Sequence, residues 1–185
     1  MTTRRPGRSL PMDTQAIFGV TETPLGWAGV TLRYGAILRA TLFHRTRFGA
    51  EGELASFGAE PGDSAALREA LDLLGEYAAG HNVSIEEFPV EIPEGTALQR
   101  KTWLALREIP RGETRSYGWL ARHVGEGHAP RAIGAAVGAN PIPLWLPCHR
   151  VVASDGSLHG FGGGLAMKQS LLELEGALPR RLALG

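Results

Sequence analysis

Cysteine is almost absent from this chain: the 185 residues contain one, Cys148. A lone thiol cannot close an internal disulfide, which fits a reducing compartment, and it excludes zinc sites built on two or more thiolates. Long apolar runs are absent too; none approaches the roughly 20 residues a membrane-spanning helix needs. The basic residues Arg4, Arg5 and Arg8 are followed by no apolar segment, so a secretory leader is not expected. Residues 1–12 read as a disordered basic tail, and the cytoplasm is the expected location. Internal repeats and low-complexity tracts are also missing. What is present, 43% hydrophobic and 21% charged residues, is the composition of a soluble globular protein. The length suffices for one ordinary domain or two small ones.

The chain has no net charge, but its halves differ. Met1 to Pro93 carries 8 Lys+Arg against 12 Asp+Glu, a net of −4; Glu94 to Gly185 carries 11 against 7, a net of +4. A basic half directs attention to a polyanionic partner. The local patterns divide at the same place. From Ile17 to Thr46 the chain reads as strands broken by turns at Thr23–Gly26 and Tyr34-Gly35, with β-prone segments Trp27–Leu32 and Ile37–Phe43. Asp63-Ser64 then caps a helix whose apolar face is Leu67, Leu71, Leu74, Tyr77 and Ala78, and Gly80 ends it. A loop-rich stretch from Glu86 to Gly95, containing Pro89 and Pro93, separates residues 13–93 from residues 94–185. Beyond it, Thr96 caps a helix carrying Leu98, Trp103, Leu106 and Ile109, stopped by Pro110. Ser116 caps a short helix with Tyr117, Leu120, Ala121 and Val124. After Gly125–Ala129 a third helix runs from Pro130 to Val137, with proline at its first position. Two short helices joined by a glycine-bearing connection suggest a helix-turn-helix.

The residues with chemical potential lie between Asn140 and Glu175. Asn140-Pro141-Ile142-Pro143 is rigid turn material, and the apolar Leu144–Leu146 leads into Pro147-Cys148-His149-Arg150-Val151-Val152. A thiol becomes a strong nucleophile as a thiolate, which a neighbouring base or cation can generate. His149 is adjacent, but successive side chains of a strand point to opposite faces, so contact with Cys148 needs a turn or a bridging water. A lone cysteine between apolar runs is more often a small buried hydrophobe than a nucleophile, and His149 and Arg150 could form a polar edge. Spacing alone leaves both readings open.

Taken together, Gly112-Glu113, Ser116-Tyr117, Leu120-Ala121, Arg131-Ala132-Ile133-Gly134, Asn140-Pro141, Pro147 to Val152, Gly163-Gly164-Leu165, Leu171-Leu172 and Glu175-Gly176 form a recognisable series. In order and spacing the chain from Glu94 to Gly176 resembles the O6-alkylguanine-DNA alkyltransferases, also called methylated-DNA–protein-cysteine methyltransferases. The resemblance implies an α/β (α+β) fold. A small amino-terminal mixed domain with a β-sheet would support a mainly helical, winged-helix-like carboxy-terminal domain that binds DNA and accepts the alkyl group.

It also implies roles. Cys148 would take the alkyl carbon from O6 of a flipped guanine, with O4-alkylthymine as a related lesion. His149 would draw off the thiol proton through a water, Glu175 would hold the imidazole, and Tyr117 would donate to the leaving base. Arg131 would fill the space left in the stack. The small residues Ala132, Gly134 and Ala135 would let the helix approach double-stranded DNA from the minor groove. Asn140 would pin the turn before the active-site strand. Phe161, Gly162 and Gly163 would line the base pocket, with the backbone carbonyls of Cys148 and Val151 reading the guanine amine. Arg150 and Lys168 complete the implied substrate- and DNA-binding set.

Phe161 stands where family members often carry tyrosine, which keeps a stacking face and loses a hydroxyl. Pro130 before Arg131 is unusual, and the helix is expected to start late, with the arginine in its first turn. No metal, no cofactor, no membrane partner and a monomeric state are expected. A thioether at Cys148 has no second group placed to cleave it, so each molecule should act once. Two alternatives remain open. One is a non-catalytic lesion-binding module of the same fold, whose known examples carry a different residue at the cysteine position. The other is a thiol hydrolase, which leaves Arg131 and Tyr117 without a role.

Overall fold

In the computed structural model, residues 15–127 and 129–179 are described; the expected tail at residues 1–12 lies outside them. The chain begins with a hairpin, β1 (Ile17–Thr23) and β2 (Gly26–Arg33), paired antiparallel from Ile17↔Leu32 to Thr23↔Gly26. Tyr34 and Gly35 both have positive φ, 53° and 74°, the backbone of a two-residue turn that matches strand twist, and β3 (Ala36–Ala40) returns along β2. A two-residue strand, β4 (Glu60–Pro61), lies parallel to β1 and completes the sheet order β3-β2-β1-β4.

Helices cover both faces of this sheet. The helix α2 (Ala65–Ala78), capped by the Ser64 hydroxyl, packs Leu67 and Leu71 beside Gly19. The opposite face receives Leu54 of α1 (Arg47–Ala55), clustered with Phe18 and Ala59. Alternation along β1 makes the division: Phe18 and Val20 turn to α1, while Gly19 turns to α2. The helix α1 was not anticipated from sequence, since two glycines interrupt its periodicity; it is fixed instead by Thr46, whose side chain accepts from Gly49 N.

The second half is mainly helical, as expected. The helix α3 (Ala97–Leu106) starts in a capping box between Thr96 and Gln99. β5 (Arg115–Ser116) precedes α4 (Tyr117–His123), capped by Ser116, and α5 (Pro130–Gly138) follows after a short connection. β6 (Val151–Val152) pairs parallel with β5, and α6 (Leu165–Glu175) ends at Gly176 in the left-handed conformation. Pro130 is the first residue of α5, with Ala129 held out of the helical region at φ −124°, ψ 51°. The helix therefore does not start late; proline fits its first position because no intrahelical N–H is needed there.

The halves share one core. Buried residues from Ala28 in β2 to Leu171 in α6 form a continuous cluster. The connecting stretch adds backbone pairing, with Ile37 N donating to Pro89 O (2.9 Å) and Glu91 N to Ile37 O (2.8 Å). Among the described residues no helix is long and apolar enough to cross a membrane.

Candidate active site and DNA-facing helix

Cys148 opens a turn. The segment Cys148–Arg150 is a single 3-10 turn followed by β6, not the strand expected from sequence. A 3-10 turn has three residues per turn, so Cys148 and His149 need not point to opposite faces. All three residues of the turn are buried.

Behind the turn lies a fully buried network centred on Glu175. Its Oε1 accepts from Tyr77 Oη (2.7 Å), Arg150 Nη2 (2.8 Å) and His149 Nε2 (2.9 Å), while Oε2 accepts from Arg150 Nε (2.8 Å). Arg150 also donates to Ile109 O (2.7 Å) and pairs with Glu86. Burial alone would raise the carboxyl, but the hydrogen bonds from Arg150 and His149 hold Glu175 well below the ordinary carboxylate range. An ionised Glu175 can only accept, so His149 Nε2 carries the proton and Nδ1 presents its lone pair. Among the described residues that Nδ1 is buried without a hydrogen-bond partner. Burial also pushes His149 below its ordinary 6.5, which keeps the ring neutral and basic at neutral pH.

Burial pushes the Cys148 thiol up, offset in part by the Asn140 amide, the Lys168 charge and the backbone N–H groups of Cys148 and His149. The thiol is therefore protonated at rest, and the neutral His149 ring follows it in the same turn without a direct hydrogen bond to it. Tyr117 is half-buried with its hydroxyl 3.5 Å from His159 O. Burial, and then the charge that Cys148 can carry, raise it, so it remains a hydroxyl donor.

Asn140 ties the approach together. Its Nδ2 donates to Leu146 O (2.6 Å) and its Oδ1 accepts from Ile142 N (3.0 Å). Replacing Asn140 with alanine strands both backbone groups beside fully buried residues. The expected cost is about 2–3 kcal/mol in urea unfolding, with slower chemistry at Cys148.

A cavity of about 60 Å³ opens over Cys148, lined among others by Leu42, Val137, Asn140, Pro143, Phe161 and Gly162. Gly163 borders the larger adjoining groove; a Cβ there would lie 3.0 Å from Leu42 Cδ1 and 3.2 Å from the Phe161 ring, so one fits only if those side chains give by a few tenths of an ångström. The same helix that lines the cavity with Val137 and Gly138 turns a small-residue face outward. Ile133, Ala136 and Val137 of α5 are buried, while Arg131, Ala132 and Ala135 are exposed and Gly134 is half-exposed. Trp103 Nε1 donates to Ala136 O (2.9 Å) and anchors α5 to α3.

Two expected ligand-binding residues are engaged by the protein itself. Arg150 is buried under Cys148 and spans Glu175 and Glu86; a guanidinium so engaged has no free edge for DNA. Lys168 is fully buried, its ammonium donating to Val151 O (2.5 Å) and His159 O (2.9 Å), so it holds the loop and occupies one side of the Val151 carbonyl. Conversely, Tyr77 and Glu86 belong to the network and were missed. Tyr77 reads as one apolar residue of α2, and Glu86 as loop; their partners are 98 and 64 residues away, and no local pattern signals such pairs.

Residues 97–177 match the family described as 6-O-methylguanine DNA methyltransferase, DNA binding domain. A Mycolicibacterium paratuberculosis methylated-DNA–protein-cysteine methyltransferase is 49% identical over 111 residues, covering 60% of this chain and 66% of that protein. The chain's alignment thus spans just under two thirds of that relative. The match in three dimensions is more complete. The Mycobacterium tuberculosis O6-methylguanine methyltransferase superposes with a TM-score of 0.72 at 36% identity, covering 91% of this chain and 96% of that one.

The chain belongs to the methylated-DNA–protein-cysteine methyltransferase family. A second M. tuberculosis structure, OGT in complex with DNA, superposes with a TM-score of 0.70 at 36% identity over 86% of this chain and 92% of that one. Cys148, His149, Arg150 and Glu175 all lie within the stretch that matches that family's DNA-binding domain.

Proposed function

We propose that this methyltransferase repairs DNA by direct reversal, moving the alkyl group of O6-alkylguanine irreversibly onto Cys148 after the base has left the duplex. The observation that carries this reading is the buried His149–Glu175 pair, in the same turn as the Cys148 thiol that lines a cavity walled by α5. The thiol proton passes to His149 Nδ1 through a water, and the sulfur forms a bond to the alkyl carbon. The carbon–O6 bond breaks and its electron pair goes to the guanine, which Tyr117 meets with a hydrogen bond or proton. Acid–base assistance of this kind contributes about 10²–10⁴-fold. The product is a thioether, and among the described residues no second nucleophile stands in the site to release it.

Base extrusion costs a few kcal/mol of lost stacking. Arg131 would fill the gap, since a planar cation can stack where the base was; its exposure at the first turn of α5 supports this. The exposed Ala132 and Ala135 allow close approach to a minor groove, where readout is degenerate, as suits a protein that must find lesions in any sequence. In this reading residues 94–185 bind DNA and accept the alkyl group while residues 13–93 support them, and the protein acts as a cytoplasmic monomer. The cavity over Cys148, about 60 Å³, must widen for a guanine.

Lesion loss from a duplex containing one O6-methylguanine, followed with the lesion in excess, tests the reading. The expected result is a plateau at one lesion per protein molecule. Continued turnover would favour a thiol hydrolase, and tight binding with no lesion loss would favour a non-catalytic recognition module.

A further inference from the structure

We propose that the amino-terminal half takes part in the reaction through Tyr77 and Glu86, positioning residues that set how strongly Glu175 holds His149. The proposal rests on the reading of His149 as the base. The charged and titratable groups around the imidazole come from every packed element: Glu175 on α6, Arg150 and Cys148 in the same turn, Tyr77 on α2, Glu86 in the 3-10 turn Ile85–Glu87, and Arg111, whose guanidinium lies 5.2 Å from the Tyr77 ring centre. Only Tyr77 and Glu86 come from the amino-terminal half.

The two pull in opposite directions. Glu175 Oε1 accepts from three donors, with Tyr77 at 2.7 Å and His149 at 2.9 Å. Donors sharing one oxygen compete for the same electron density, so the Tyr77 hydroxyl weakens the hold on His149. Tyr77 Oη also lies 3.5 Å from His149 Nε2 itself. Glu86 acts through Arg150, whose Nη2 is shared between Glu86 and Glu175. By drawing the guanidinium charge toward itself, Glu86 leaves Glu175 freer to support the imidazole; its own negative charge favours the protonated ring as well. A side chain that merely cements two domains has no reason to act on the basicity of His149.

The test is the pH dependence of single-turnover alkyl transfer in the full chain, with a saturating O6-methylguanine duplex, for the parent, Tyr77→Phe, Glu86→Gln and His149→Gln. Protonating His149 removes the base, so the parent rate should fall on the acid side, and His149→Gln should abolish that limb. Tyr77→Phe keeps the ring and frees Oε1 for the imidazole, which should move the limb up by about half a pH unit, roughly threefold in rate on the limb. Glu86→Gln should move it down by a similar amount; Glu86 is only partly buried, so this variant is expected to fold. Limbs that stay in place in both variants, whatever the change in overall rate, would overturn the proposal. A limb that persists in His149→Gln would overturn the base reading itself, and the proposal with it.

Discussion

Arg150→Met is expected to lower the unfolding free energy by about 3–5 kcal/mol, the largest loss from any single change in the buried network. The guanidinium is 1% exposed and serves the Glu175 carboxylate through two nitrogens, along with Ile109 O and Glu86. Methionine fills much of the volume but leaves Glu175 ionised and short of its principal partner. An uncompensated charge there is costly because the desolvation already incurred no longer has a matching attraction. Urea unfolding should show the midpoint falling with little change in slope. The double variant Arg150→Met/Glu175→Leu should recover part of the loss, since it removes the stranded charge as well as the cation. The folded double variant should still lack efficient transfer, because His149 loses its orienting partner. A cost for Arg150→Met below about 1 kcal/mol would place the arginine at the solvent edge, as sequence alone suggested.

Cys148→Ala is expected to abolish transfer, by at least about 10⁴-fold, while leaving DNA affinity close to that of the parent. Removing the nucleophile from a group that acts as a unit forfeits nearly all of its acceleration. The described site offers no substitute. The Tyr117 hydroxyl is raised and protonated, and the Lys168 ammonium is fixed on two carbonyls. Affinity should survive because phosphate contacts dominate DNA binding, and the exposed face of α5 with Arg131 is separate from the sulfur. Binding isotherms at fixed salt alongside single-turnover kinetics separate these effects. A variant that retains transfer would remove Cys148 from the reaction.

The sequence made the helices and caps legible because their signals are local. Ser64, Thr96 and Ser116 stand at the N-caps assigned from spacing alone. The hairpin turns were readable from Thr23–Gly26 and Tyr34-Gly35 for the same reason. The helix α1 was not readable, because Gly49 and Gly52 dilute its pattern and tertiary burial of Ala50 and Leu54 decides it. The pairing of His149 with Glu175 came from family resemblance; no periodicity brings residue 175 under residue 149. Arg150 and Lys168 were misplaced since long cations are ordinarily solvated, and only the fold supplies the buried carboxylates and carbonyls that hold them. Tyr77 and Glu86 were invisible because their contribution is a long-range contact between halves that sequence reading treats separately.

The most direct test of the account is the intact mass of the protein after reaction with a duplex containing one O6-methylguanine, followed by peptide mapping. The account predicts a gain of about 14 Da, a methyl replacing the thiol hydrogen. The gain should saturate at one per molecule, map to Cys148, and be absent in Cys148→Ala. An unchanged mass after the lesion has been lost, or an adduct on any other residue, would contradict it.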